Sequence, residues 1–244
     1  MSCQLYKPDV AISLLTTSFL ESNPFNQSAI AKNDHSYRSR WKLPLWTGYD
    51  SSDTTATAEL DLKPLPYTRT EADTILEFLQ GQSSLGIFDF EANLNRFKRP
   101  DLSNYQIIHF ATHGILNPDY PELSGLVVSL VDPQGNPQNG FLRLNDIFNL
   151  NLPAELVVLS ACQTGSGKNV KGEGIVGLTR GFMYADAPRT IASLWNVNDA
   201  STAELMSQFY QKYLQENLPP AEALRQAQLA MWQSENIDWR NPYF

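Results

Sequence analysis

From residue 62 onward the apolar positions of the chain alternate between two rhythms. The first is the short apolar run: "YQIIHFA" (105–111), "SGLVVSLVD" (124–132), "ELVVLSA" (155–161), where Val157, Val158 and Leu159 leave no polar face, and "RTIASLW" (189–195). Short unbroken apolar runs bounded by turn residues predict strands buried on both faces. The second rhythm is helical. "TRTEADTILEFLQ" sets Ile75, Leu76 and Leu79 on one face behind Thr68 and Glu71 in capping-box spacing. "EANLNRF" and "GEGIVGLTRGFMYAD" predict further helices, and "STAELMSQFYQKYL" opens with Ser201 and Glu204 in the same capping spacing. Phe209, Tyr210 and Tyr213 fall at helical spacing and read as core. "PAEALRQAQLAMWQ" places Pro220 at a first helical position. Buried strands alternating with helices predict an α/β fold, a parallel-rich central sheet covered by helices on both faces.

Residues 1–61 do not share this pattern. "SNPFNQSAIAKNDHSYRSR" and "TGYDSSDTTATAELD" are polar and without period, so this stretch reads as an irregular segment, part of or an extension to a domain at 62–244. No repeat at solenoid period is present.

Composition narrows the function classes. A chain of 244 residues can bury a full core without disulfides or metal. The net charge of −8, the pI near 4.9 and the absence of Lys/Arg clusters argue against a nucleic-acid partner. No apolar run approaches the ~18 residues of a membrane span. "VAISLLTTSFL" comes after Asp9 with no basic region before it, so a signal peptide is not expected. Cys3 and Cys162 lie far apart and form no disulfide framework, which points to a reducing, cytoplasmic setting.

Chemistry in parallel sheets collects at the carboxyl ends of the strands, where loops converge. "YQIIHFA" runs into Thr112-His113-Gly114, and "ELVVLSA" runs into Cys162-Gln163-Thr164-Gly165. If the two strands are parallel neighbours, His113 and Cys162 meet at one edge. A lone cysteine is ordinarily a small buried hydrophobe. This one comes after a strand and precedes the glycine-rich "QTGSGKNVKGEG", where an adjacent imidazole favours the thiolate and lets it attack a carbonyl carbon. Gly114 lets a carbonyl oxygen approach the backbone, and the Cys162 amide can supply a second oxyanion donor.

Other readings of the same residues fail on geometry. His109 and His113 could form a His-x-x-x-His metal pair only on a helix, whereas four strand residues span about 13 Å. No metal is therefore expected, and His109 reads as a core residue or one supporting His113. The third histidine, His35, lies in the irregular segment. "GEGIVG", Gly172 to Gly177, has dinucleotide-loop spacing but no strand directly before it. "GSGK", Gly165 to Lys168, has Cys162 at the first phosphate-loop position and Asn169 where a hydroxyl is needed. No nucleotide or other cofactor is expected.

"HFATHG", "SGL", "LVVLSACQTG", "GEGIVGLTRGFMYADAPRTIASLWNVND" and "AEALRQAQLAMW", in this order over residues 62–244, resemble a CHAT domain. This is the caspase-like domain of bacteria often fused to tetratricopeptide repeats and related to separase within the caspase–gingipain clan of cysteine peptidases. The 49 residues from His113 to Cys162 agree with the offset of roughly 50 in caspases. The resemblance implies a caspase-like three-layer fold, a His113–Cys162 dyad and an oxyanion hole of the Gly114 and Cys162 amides. It implies peptide-bond cleavage through an acyl-enzyme, with a protein or peptide substrate and a repeat-containing regulatory partner. Residues after the "SLW" strand line the substrate pocket in the clan, which nominates Trp195 and Asp199, the latter alternatively a helix cap. Glu173 is a further pocket candidate, alternatively a carboxylate favoured by a helix start. The family continues past the position of "NPYF", so a final strand is expected to be missing. Its turn before "SLW" often carries two glycines where this chain has Ala185-Asp186-Ala187-Pro188.

Two further functions fit the same residues. One is a catalytically silent or latent scaffold that binds protein partners, for which Cys162 needs no activation. The other is a hydrolase of small acyl substrates using the same dyad.

Overall fold

The computed structural model describes residues 10–14, 41–42, 59–60, 62, 65–117, 121–160, 162–163 and 173–240. Cys3, His35, the glycine-rich loop at 164–172 and the "NPYF" end lie outside the described residues. The chain divides into two compact units, residues 1–16 with 65–244, and residues 17–64. Strand β1 is Val10–Leu14, β2 is Trp41–Lys42 and β3 is Glu59–Leu60. In the smaller unit β2 and β3 pair antiparallel, Trp41 against Leu60 and Lys42 against Glu59.

The larger unit is built on a five-stranded parallel sheet. Helix α1 (Tyr67–Phe78) leads to β4 (Ser84–Phe88), and the short α2 (Leu94–Phe97) leads to β5 (Ile107–Ala111). After β6 (His113–Ile115), β7 (Gly125–Val127), β8 (Phe141–Arg143) and α3 (Leu144–Phe148) comes β9 (Leu156–Leu159). The chain then forms β10 (Cys162–Gln163), α4 (Glu173–Tyr184), β11 (Thr190–Ala192), α5 (Asp199–Tyr210) and α6 (Pro220–Trp232). The sheet order is β11-β9-β5-β1-β4, every neighbouring pair parallel. The chain builds outward from β1 to one side and then crosses back to β5. In open α/β sheets such a reversal is where ligands bind, outside the carboxyl ends of the strands.

The side chains of β5 and β9 sort into two cores by the period of two that a strand imposes. Ile108, Phe110, Val157 and Leu159 face a core closed by Phe97 of α2, Ile147 of α3, and Leu178 and Phe182 of α4. Ile107, Ala111, Leu156 and Val158 face the other, closed by Ala72 and Ile75 of α1, Met206 and Phe209 of α5, and Ala223 and Ala227 of α6. Helices thus cover both faces, giving the caspase-like three-layer α/β fold. Phe110 holds the first core together, its ring 5.5 Å from those of both Phe97 and Phe182.

Several local expectations need correction. Val10–Leu14, hidden by the polar residues around it, lies inside the sheet between β5 and β4. The "SGLVVSLVD" run gives β7, a strand of a second sheet ordered β10-β6-β7-β8 and antiparallel to its neighbours. There Gly125 is required by close approach, since a Cβ would collide with the Leu142 carbonyl oxygen. Thr68 and Glu71 form no capping box: Pro66 stands at the N-cap position of α1 without a side-chain hydrogen bond, and Thr68 donates its hydroxyl to the Leu65 carbonyl. Helix α5 begins two residues before Ser201, capped by Asn198, which accepts from the amides of Ala200 and Ser201. In the turn after α4, Asp186 adopts φ 76°. The amides of Asp186 and Ala187 close onto Met183 and Phe182, a Schellman geometry in which glycine would avoid a strain of about 1 kcal/mol.

Candidate active site

Two central strands carry the site past the main sheet. β5 ends at Ala111, bends at Thr112 and resumes as β6, while β9 ends at Leu159 and resumes as β10. The Ser160 amide donates to the Phe110 carbonyl, extending the β5–β9 ladder to the bend. Beyond it, β6 and β10 pair in parallel, with Cys162 the register partner of His113 and Gln163 that of Gly114. His113 is buried, and β7 flanks it on the far side, with Gly114 paired to Leu126. The bend is pinned by the Thr112 hydroxyl, which donates to the Val127 carbonyl. Asn117, just past β6, donates its backbone N–H to the buried Ser124 hydroxyl at 3.0 Å.

The pocket candidates sit on the same edge in different settings. Glu173 is the first residue of α4. Trp195 lies just past β11 and is 43% exposed, beside Leu194 at 68%. Asp199 is the first residue of α5, and its carboxylate accepts the Tyr67 amide at 2.8 Å, tying the start of α1 to the start of α5. The helix-cap alternative for this position therefore falls to Asn198, with Asp199 bridging two helices.

Burial pushes the Asp199 carboxyl above its ordinary value; the hydrogen bond from Tyr67 opposes this and the nearby Glu71 adds to it. A raised folded-state value means that stability is greatest in acid and declines as the pH rises through that value. Asp199→Asn, whose amide oxygen can still accept from Tyr67, is expected to melt higher than wild type near neutral pH. The gain should vanish below about pH 4, where both side chains are neutral. Melting curves across pH test this; an Asn variant that melts lower at neutral pH contradicts it.

His109 has two partners that sequence reasoning did not find. It is wholly buried, with Nδ1 3.0 Å from the Tyr210 hydroxyl and Nε2 2.9 Å from Glu71 Oε1. The second contact is an electrostatic approach off the line of an ideal hydrogen bond. Burial, and then the Glu71 charge, hold the Tyr210 hydroxyl well above its usual range, so it stays a neutral donor. The arrangement that serves both contacts puts the proton on Nε2, facing the carboxylate, and leaves Nδ1 to accept from Tyr210. The signal for Glu71 was a carboxylate on the stripe of α1 that also carries Ala72, Ile75 and Leu79. Among the described residues no group of three His, Cys, Asp or Glu side chains could hold a metal ion, and no helix is long and apolar enough to cross a membrane.

The sequence model of the CHAT domain family matches residues 9–244. The chain belongs to the CHAT domain family. Tetratricopeptide repeat protein 28 of Homo sapiens is 24% identical over 221 residues, 78% of this chain and 9% of that protein. The Mus musculus protein of the same name is 26% identical over 186 residues, 62% of this chain and 7% of that protein. The chain thus spans less than a tenth of the curated relatives it matches. A solved Streptococcus pneumonia TIGR4 flavodoxin covers 86% of this chain and 99% of its own at 10% identity. Its TM-score of 0.37 is too low to bear on function.

Proposed function

We propose that this CHAT domain is a cysteine endopeptidase in which Cys162 is the nucleophile and His113 manages the proton. One observation carries the reading: across the β6–β10 ladder, Cys162 is the register partner of His113. Neighbouring strands lie about 4.8 Å apart, which brings a thiolate and an imidazole at partnered positions within reach of each other. The Cys162 thiolate attacks the scissile carbonyl carbon, the amides of Gly114 and Cys162 stabilise the oxyanion, and His113 delivers a proton to the leaving amine. Water, deprotonated by the same imidazole, then releases the acyl group. Trp195, Asp199 and Glu173 line the pocket for the side chain before the cut, with an acid at Asp199 suited to a basic residue. The substrate is a protein or peptide in the cytoplasm, and a repeat-containing protein regulates the domain, a partnership supported by the repeat proteins among its relatives.

The test is a pH series of Cys162 alkylation by iodoacetamide in a Cys3→Ser background, with and without His113→Ala. An activated dyad gives a thiol that titrates well below the free value of about 8.5 and loses that shift without the imidazole. A thiol that titrates normally in both proteins refutes it and leaves the scaffold reading, which needs no activated thiol.

A further inference from the structure

Strand β5 poses a problem of register. Of its five residues, Ile107, Ile108, Phe110 and Ala111 are apolar and buried, two on each face. Its neighbour β9 is Leu156, Val157, Val158 and Leu159, again apolar on both faces. A strand with one polar face is held in register because a one-residue slip would carry that face into the core. Here the slip exchanges one apolar face for another, and a parallel ladder offers the same backbone hydrogen bonds at each step. The hydrophobic pattern thus leaves the phase of β5 weakly specified, although the placement of His113 depends on it.

We propose that the Glu71–His109–Tyr210 network is the register key of β5, and through β5 the device that sets His113 opposite Cys162. His109 is the one polar residue of the strand, with helices α1 and α5 each supplying a partner from the same side. A one-residue slip would turn the imidazole into the apolar core of Phe97, Leu178 and Phe182 and strand Glu71, which is 1% exposed, without its partner. A slip of two would keep the face but carry the ring nearly 7 Å along the strand, out of reach of both partners. Each leaves buried polar groups unpaired, which an all-apolar strand would not penalise. The phase set at position 109 is carried forward over a few fixed residues. The Ser160 amide ties to Phe110, the Thr112 hydroxyl ties to Val127, and the next residue is His113. With β5 advanced or retarded by one, Thr112 or Gly114 would stand opposite Cys162. Glu71, His109 and Tyr210 are therefore positioning residues, and their bearing on catalysis rests on the dyad reading. The register itself does not.

Register can be measured without catalysis. In a chain carrying Cys3→Ser and His113→Cys, the remaining thiols occupy the partnered positions 113 and 162. At about 4.8 Å their Cα separation lies within the span a disulfide accepts. The rate of disulfide closure under mild oxidation, tracked by mass spectrometry of unreacted thiols, reports how often the two positions are in register. Glu71→Leu, His109→Leu and Tyr210→Phe together replace the network by apolar groups of similar size, a change that is often nearly neutral when all partners of a buried polar contact are replaced at once. Closure in that background is expected to slow roughly tenfold while thermal melting shows a cooperative fold. Unchanged closure overturns the proposal. Should the triple variant fail to fold, Tyr210→Phe alone decides: slower closure supports the key and equal closure refutes it. Failure of the dyad reading shows elsewhere, as Cys162 alkylation indifferent to His113→Ala.

Discussion

Cys162→Ala is expected to reduce peptide hydrolysis by at least about 10⁴-fold, with the melting temperature essentially unchanged. The expectation comes from what the side chain is asked to do. A covalent mechanism has no route to the acyl-enzyme without the sulfur, and water positioned by the remaining groups recovers only a small part of the rate. His113→Ala should cost a similar factor. The double variant should be little worse than either single one, because nucleophile and base act as a unit. Hydrolysis of a peptide library, read by mass spectrometry, measures this, and turnover retained by Cys162→Ala would remove the residue from the mechanism. A non-additive pair also separates two ways of losing activity. A distorted fold would show additive losses and a lowered melting temperature, whereas a broken dyad shows neither.

The parts of this fold that are legible in the sequence are those whose signal is local. β9 announces itself as an unbroken apolar run, and β5 as one interrupted only by His109, because both their faces are buried. The long helices α1, α4, α5 and α6 announce themselves by period, down to Pro220 at the first position of α6, whereas the five-residue α3 is too short to do so. The meeting of His113 and Cys162 is predicted by a topological rule rather than by either residue: parallel neighbouring strands bring the residues at their carboxyl ends to one edge. β1 escapes notice because five residues, "VAISL", carry too little pattern to stand out from a polar neighbourhood. β4 escapes similarly, being only "SLGIF" with a glycine at its centre. Glu71 misleads for a different reason. Its spacing from Thr68 fits a cap, and nothing within one turn of helix reveals that its partner is His109 on β5. The same holds for Asp199, whose hydrogen bond reaches back to Tyr67 across the fold. Polar residues whose partners are distant in sequence are ambiguous until the elements are assembled. In this domain those residues are the ones that fix α1 and α5 to each other and to the sheet.

Glu71→Ala is expected to destabilise the domain by about 1–3 kcal/mol, because it leaves the buried Nε2–H of His109 without the carboxylate it faces. Both side chains are 0–1% exposed, so water cannot take over the lost contact. For a unit of this size each kcal/mol lowers the melting temperature by roughly 2–4 °C, so the midpoint should fall by several degrees. His109→Ala should cost a comparable amount, since it strands the carboxylate and leaves the Tyr210 hydroxyl without an acceptor. The two losses should not add. Once either partner is gone the contact between them is gone as well, and the double variant should be destabilised by clearly less than the sum. Replacing both by leucine should return the stability close to wild type, since removing both partners of a buried polar contact together leaves little unsatisfied. Denaturant unfolding of the four proteins measures the cycle. A loss below about 1 kcal/mol for Glu71→Ala, or strict additivity, would mean that the pair contributes as two separate packing groups. A large coupling with a near-neutral leucine pair would mean that the network contributes little net stability to the fold. Its contribution would then be to exclude the alternatives, which is the property a register key requires.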